Sequence, residues 1–225
     1  MSAGNDCPPQ TLARPALGEK EAAELVERVF GLKVSWLRPL PSYDDQNFHV
    51  CVSTKSGAAE GADEFVLKIT NSEDSQEPEL IEVQTQAMMF LGAQGFPSAT
   101  AYLTKDGHIM SLESGGTGPE KKQHMVRLLT YLPGTPVAKI APSAQLLFEI
   151  GQLAARLDKT LAEKFHHPSV QSLHRGQFIW NLANVPLLEQ YLPTLGHNTH
   201  RALVEQVIEQ FKDKVVPKLS SFRAC

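Results

Sequence analysis

Phe65-Val66-Leu67-Lys68-Ile69 sets one lysine in the middle of an apolar run. Residues of this type suit a pleated, half-buried surface, so 64–70 reads as a β-strand. An ammonium group held in such a strand is costly unless it snorkels into water or an anion meets it. The neighbouring segments favour the anion. Upstream lies the polar loop Ser42-Tyr43-Asp44-Asp45-Gln46-Asn47, and downstream a helical pattern opens with Glu79 and Glu82. Asn and Asp residues form tight turns whose backbone N–H groups can point inward at an anion. Loop, strand lysine and acidic helix, in that order, are the parts that grip nucleotide phosphates.

The rest of the chain divides by period. Residues 1–18 are Pro-rich and unpatterned, and read as a flexible tail. Ala22, Leu25, Val26 and Val29 then mark an amphipathic helix over 19–30, closed by Gly31. Strands are expected at 34–40, 47–52 and 64–70, with a loose loop over 54–63. Pro78 suits a first helical turn, and Leu80, Val83, Ala87, Phe90 and Leu91 share a face until Gly95 and Pro97. Further strands are expected at 99–103, 107–112 and 125–131, the last two flanking Gly115-Gly116-Thr117-Gly118. Leu132-Pro133-Gly134-Thr135-Pro136 reads as a hinge. Beyond it the pattern is helical. Leu146, Ile150, Leu153, Leu157 and Leu161 form a long stripe after Pro142 and Ser143; 180–192 suggests a broken helix and 204–215 another. A β-rich lobe over 19–132 and a helical lobe over 133–225 are the expected domains.

Composition excludes several classes. The chain has 225 residues, 42% hydrophobic and 20% charged, with a formal charge of -4. A nucleic-acid partner needs a basic face, and the adjacent pair Lys121-Lys122 reads only as a solvated turn. No apolar run is long enough to span a membrane, and the N-terminus lacks a signal-peptide core. Cys7, Cys51 and Cys225 are too few and scattered for a disulfide framework, which points to a reducing compartment, most simply the cytoplasm. The eight histidines show no metal-ligand spacing. His49 alternates with apolar residues and reads as a surface side chain, while Trp36 and Trp180 read as packing residues.

Six segments carry a family resemblance: LRPLPSYDDQNFHV from Leu37, EFVLKIT from Glu64, ELIEVQTQAMMFLGAQGFP from Glu79, TYLPGTPV from Thr130, FEIGQLAARLDKTL from Phe148 and RGQFIWNL from Arg175. With them the chain resembles, over its whole length, the N-terminal part of aminoglycoside phosphotransferase-like small-molecule kinases. The resemblance implies an α/β (α+β) protein-kinase-like fold of two lobes, a β-rich N-lobe and a helical C-lobe that is cut short. By it, Lys68 would hold the nucleotide phosphates and Ser42, Tyr43, Asp44, Asp45, Gln46 and Asn47 would cover them. Thr130, Tyr131 and Leu132 would lie beside the base. The helix acid usual in the family falls on Gln84. Glu82, the nearest carboxylate, sits about 200° around the helix from it. The resemblance further implies GTP (or ATP) as phosphoryl donor, 5-hydroxy-L-lysine as acceptor, and Mg2+ for the complete enzyme only.

Two departures qualify it. Leu157-Asp158 stands where many relatives carry a histidine, and no His-x-Asp occurs anywhere in the chain. The catalytic loop, with its proton-accepting Asp and metal ligands, would begin where Ser221-Phe222-Arg223-Ala224-Cys225 ends the sequence. No catalytic or metal-ligating residue is therefore assigned, and the expected activity of this chain alone is nil or nearly so. The alternative is a non-catalytic nucleotide- or protein-binding module, with a protein partner on the apolar surface that a cut helical lobe would expose.

Overall fold

The computed structural model describes residues 14–53, 62–115, 122–174, 176, 178–196 and 199–221. The loop expected over 54–63 and the glycine-rich 115–118 segment fall largely outside them, as do Cys7, Lys121, Arg175 and Cys225. Two compact units are present, one ending at Ser169 and the other starting at Val170.

The first unit opens with α1 (Glu19–Phe30). Ala22, Leu25, Val26, Val29 and Phe30 are buried, following the i, i+3, i+4, i+7 face of an amphipathic helix. Gly31, with φ of 73°, closes it by donating its N–H to the Glu27 carbonyl at 3.1 Å. Strands β1 (Val34–Leu40), β2 (Gln46–Ser53) and β3 (Ala62–Ile69) follow, then α2 (Pro78–Ala93). Strands β4 (Ala101–Tyr102), β5 (Ser111–Gly115) and β6 (Lys122–Thr130) complete one antiparallel sheet. Its order is β1-β2-β3-β6-β4, with β5 also paired to β6. α2 therefore lies in the crossover that brings β6 against β3.

The sheet has two chemically distinct faces because strand side chains alternate. Phe48, Val50, Val52, Phe65, Leu67, Ile69, Val126 and Leu128 point to one side and close with α1 into the main core. Their alternates, among them Asn47, His49, Lys68 and Arg127, point to the other side. The sheet thus segregates packing from chemistry.

Several expectations need correction. The strand expected at 107–112 starts only at Ser111, because a turn captures the residues before it. There Thr104 accepts from Gly107 N–H (2.9 Å), and Thr104 N–H donates to the His108 carbonyl (2.8 Å). Gly107 adopts φ of 81°, which suits a turn and not a strand. Lys122 opens β6 instead of lying in a turn. Trp36 is 43% exposed and Trp180 69%, so neither is a core residue.

α3 (Ala144–Lys164) closes the first unit, capped by Ser143 Oγ accepting the Leu146 N–H at 3.1 Å. Beyond it Phe165 sits 5.3 Å from the Phe90 ring, and the Arg156 guanidinium lies 5.3 Å above Phe96. None of the residues on its predicted stripe is fully buried; Leu147, Phe148, Ile150 and Leu153 are exposed. In the second unit, Leu182–Leu195 is a 3₁₀ stretch instead of a broken α-helix. Pro186 and Pro193 remove donors that an α-helix would need. It packs on α4 (Thr199–Lys214), where Leu192 and Ile208 are buried and Lys212 bonds Glu189 at 2.7 Å.

Candidate functional site

Register decides what surrounds Lys68. On β2 its partner is Asn47, and on β6 its partner is Arg127. Directly opposed residues of antiparallel strands share a face, so Asn47, Lys68 and Arg127 form one polar row across three strands. Lys68 Nζ is bonded to Asp45 Oδ2. The lysine side chain is 28% exposed and the aspartate 18%, which places the pair at the mouth of a cleft. That cleft has a volume of about 230 Å³ and is lined by Ser42, Tyr43, Asp44, Asp45, Asn47, Lys68, Asn71 and Asp74.

A second clamp fixes Asp45. Asn71 donates to Asp45 Oδ1 from its backbone N–H (2.9 Å) and from Nδ2 (3.2 Å). Asn71 is itself locked, since its Oδ1 accepts the N–H groups of Glu73 (3.1 Å) and Asp74 (2.9 Å). This is an Asx-type turn at the end of β3. Burial alone would raise the Asp45 pKa; the Lys68 hydrogen bond, the Asn71 N–H and the Lys68 charge outweigh it, and the net shift is downward. Its stabilising contribution is thus present above the unfolded carboxyl value, about 3.9, and is lost as pH falls through the lower folded value. In acid-unfolding experiments, wild type should be more stable than Asp45→Asn at neutral pH, and the two should converge as pH drops well below 4. Parallel profiles across that range would contradict the assignment.

Not every residue of the loop faces this cleft. Gln46 turns away: its Nε2 donates to the Leu17 carbonyl (2.8 Å) and its Oε1 accepts the Leu17 N–H (2.9 Å). Tyr43 is 80% exposed. Asn47 Oδ1 is buried and has no hydrogen-bond partner.

On α2, Ile81 and Thr85 face inward, one turn apart and both buried. Glu82 and Gln84 are displaced from that face by about 100° each, and both are only half-buried. Among the described residues, the carboxylate that meets Lys68 is Asp45, and neither Glu82 nor Gln84 bonds it. Thr85 Oγ1 instead accepts from Arg127 Nη1 at 2.9 Å and donates to the Ile81 carbonyl at 2.7 Å.

Thr130, Tyr131 and Leu132 lie at the end of β6. Thr130 Oγ1 accepts the Thr100 N–H (2.9 Å), and the Tyr131 N–H donates to the Glu64 carbonyl (3.0 Å). Leu132 is 48% exposed. The Tyr131 ring stacks on His49, with centroids 3.8 Å apart and planes at 12°. His49 is a correction: it is buried, not a surface side chain, and its Nε2 lies 2.6 Å from Glu64 Oε2. Trp36 meets the same imidazole edge-on.

Two participants escaped the sequence reading, Arg127 and Asn71, and a third, Asp45, was named there without its role. Arg127 looked like an ordinary strand residue because only the β3–β6 pairing brings it beside Lys68. Asn71 carried a readable signal, an Asn directly after a strand with Asp three residues later. The role of Asp45 as counter-ion depended on how the loop turns.

Two curated proteins named hydroxylysine kinase match the whole chain, covering 60% of their own length. The one from Bos taurus is 57% identical over 225 residues, and the one from Mus musculus 52% over 225. The chain thus spans about three fifths of the relatives it matches. No protein-family model matches it. Among solved structures, amicoumacin kinase hAmiN in complex with AMP-PNP, Ca2+ and Ami has a TM-score of 0.52 at 15% identity, covering 81% of this chain and 54% of that one. That likeness establishes a shared kinase fold.

Proposed function

Because the chain is homologous over its whole length to the hydroxylysine kinases, we propose that it is the phosphate-gripping part of a small-molecule kinase. The reaction is transfer of the γ-phosphoryl group of GTP, or ATP, to 5-hydroxy-L-lysine. One observation carries the reading: Lys68 stands in a cleft with a cationic and a polar neighbour in register, and Ser42, Tyr43, Asp44, Asp45 and Asn47 of the preceding loop line it. Phosphoryl transfer is dominated by positioning and charge stabilisation. A strand lysine beside a loop of turn-forming residues suits that need. Tyr131, stacked on the buried His49, would border the base. Thr130 and Leu132 extend that border.

The chain alone is expected to hold the donor without turning it over. Its sequence contains no His-x-Asp to supply a catalytic base. Among the described residues no group of three or more His, Cys, Asp or Glu could hold a metal ion. No helix among them is long and apolar enough to cross a membrane.

Titration of GTP and ATP against the chain, followed by an assay of transfer to 5-hydroxylysine, tests this. Saturable triphosphate binding with negligible transfer is expected, and failure of both nucleotides to bind at millimolar concentration would sink the proposal. A second reading, a binding module with a protein partner, is favoured by the exposed Leu147, Phe148, Ile150 and Leu153 of α3. Capture of a partner that survives loss of nucleotide binding would favour it.

A further inference from the structure

Lys68 meets a carboxylate from the loop that precedes β2, and that carboxylate is held on both oxygens. Asp45 Oδ2 accepts from Lys68 Nζ, while Oδ1 accepts from the Asn71 backbone N–H at 2.9 Å and from Asn71 Nδ2 at 3.2 Å. The two oxygens have separate partners, so the carboxylate keeps its place on Asn71 when Nζ moves away. Nζ is the part able to move: it ends a flexible four-carbon stem, and the lysine side chain is 28% exposed. A partly exposed ion pair adds little to folding stability. It weighs far more on an anion that must reach the same ammonium.

Charge around the cleft points the same way. Asp44, Asp45 and Asp74 line it together with Lys68, three carboxylates to one ammonium. Burial raises the Asp45 pKa, yet the Lys68 hydrogen bond and the Asn71 N–H bring it below the ordinary carboxyl value, so the group is anionic at neutral pH. A phosphate oxygen arriving at Nζ therefore meets a like charge already bonded there. It has to replace a charge-assisted bond, not simply add one.

We propose that Asp45 is a specificity-determining residue: it competes with phosphate for Lys68 Nζ, and so lowers affinity for phosphorylated ligands without affecting the nucleoside. This rests on the reading of the Lys68 face as a nucleotide-phosphate site. The competition has a sign opposite to that of a residue that holds the ligand, because removing the carboxylate tightens binding.

The test measures the affinity of the full 225-residue chain for GTP, ATP, inorganic tripolyphosphate, guanosine and adenosine in metal-free buffer. Asp45→Asn keeps an oxygen for Asn71 and removes the charge. It should bind the polyphosphates about tenfold more tightly, the equivalent of one partly screened charge-assisted bond, with nucleoside affinity unchanged. In a Lys68→Ala background the same change should give much less, because the contested ammonium is gone. Asp44→Asn, which removes an equal charge from the cleft wall, should give a smaller gain. Equal or weaker polyphosphate binding in Asp45→Asn would overturn the proposal, as would an equal gain from Asp44→Asn or a gain that survives the loss of Lys68. Should Asp45→Asn not fold, the Asp45 carboxyl carbon of the wild type decides by NMR. Its signal must move when tripolyphosphate saturates the chain, and a fixed signal refutes the competition. Polyphosphate binding by neither wild type nor Asp45→Asn removes the phosphate site itself, a failure of the underlying reading.

Discussion

Lys68→Ala should weaken triphosphate binding about a hundredfold while the sheet stays folded. A charge-assisted hydrogen bond contributes roughly 1.5–3 kcal/mol, and about 1.4 kcal/mol corresponds to a tenfold change in affinity. The upper part of that range applies because Lys68 is only 28% exposed and its environment is poorer in water than a surface. The substitution also strips Asp45 of its ion-pair partner. Asn71 still donates twice to that carboxylate, so the stability loss should stay near 1–2 kcal/mol. Calorimetric titration with a triphosphate, paired with thermal unfolding, separates the two effects. A lysine that serves only the fold would lower the melting temperature and leave affinity where it was; that result would remove Lys68 from the site.

The largest loss of stability is expected from Phe48→Ala. Phe48 is 1% exposed and lies in β2, between β1 and β3, on the apolar face covered by α1. Truncating a fully buried phenylalanine removes its transfer free energy and leaves a cavity, for a total of roughly 3–5 kcal/mol. That is a large share of the 5–15 kcal/mol typical of a folded domain. Trp36, on neighbouring β1, reports unfolding of this unit by fluorescence when Trp180 is replaced by Phe. A shift in the urea midpoint equivalent to less than 1 kcal/mol would mean that the α1 face is not the main core.

Local order was legible wherever one segment determined it. The apolar alternation around Lys68, Pro78 at the start of α2 and Gly31 after α1 each act through the chain on either side of them, and the structure agrees there. Kinase-type architecture likewise followed from six short stretches of sequence. Contacts between distant strands were not legible. That Arg127 sits beside Lys68, and that His49 is buried against Glu64 and Tyr131, depends on strand order and register. Period-two patterning gives the face of a residue but not its neighbour on the next strand. The Gly107 turn and the proline-interrupted 3₁₀ stretch failed for another reason: hydrogen bonds and missing donors overrode an apolar pattern that still looked regular. Gln84 illustrates a third limit, since a helix can keep its boundaries while its inward position falls one residue later, on Thr85.

The single lysine between Leu67 and Ile69 also acts as a proofreader during folding. If β3 paired one residue out of step with β2, its side chains would exchange faces. Lys68 would then be driven into the oily layer under α1, and Leu67 and Ile69 would be turned out of it. The charge that serves the chemistry therefore makes the near-miss assembly of this sheet unfavourable, and a chain that has set Lys68 toward its cleft has by that fact chosen its correct alignment.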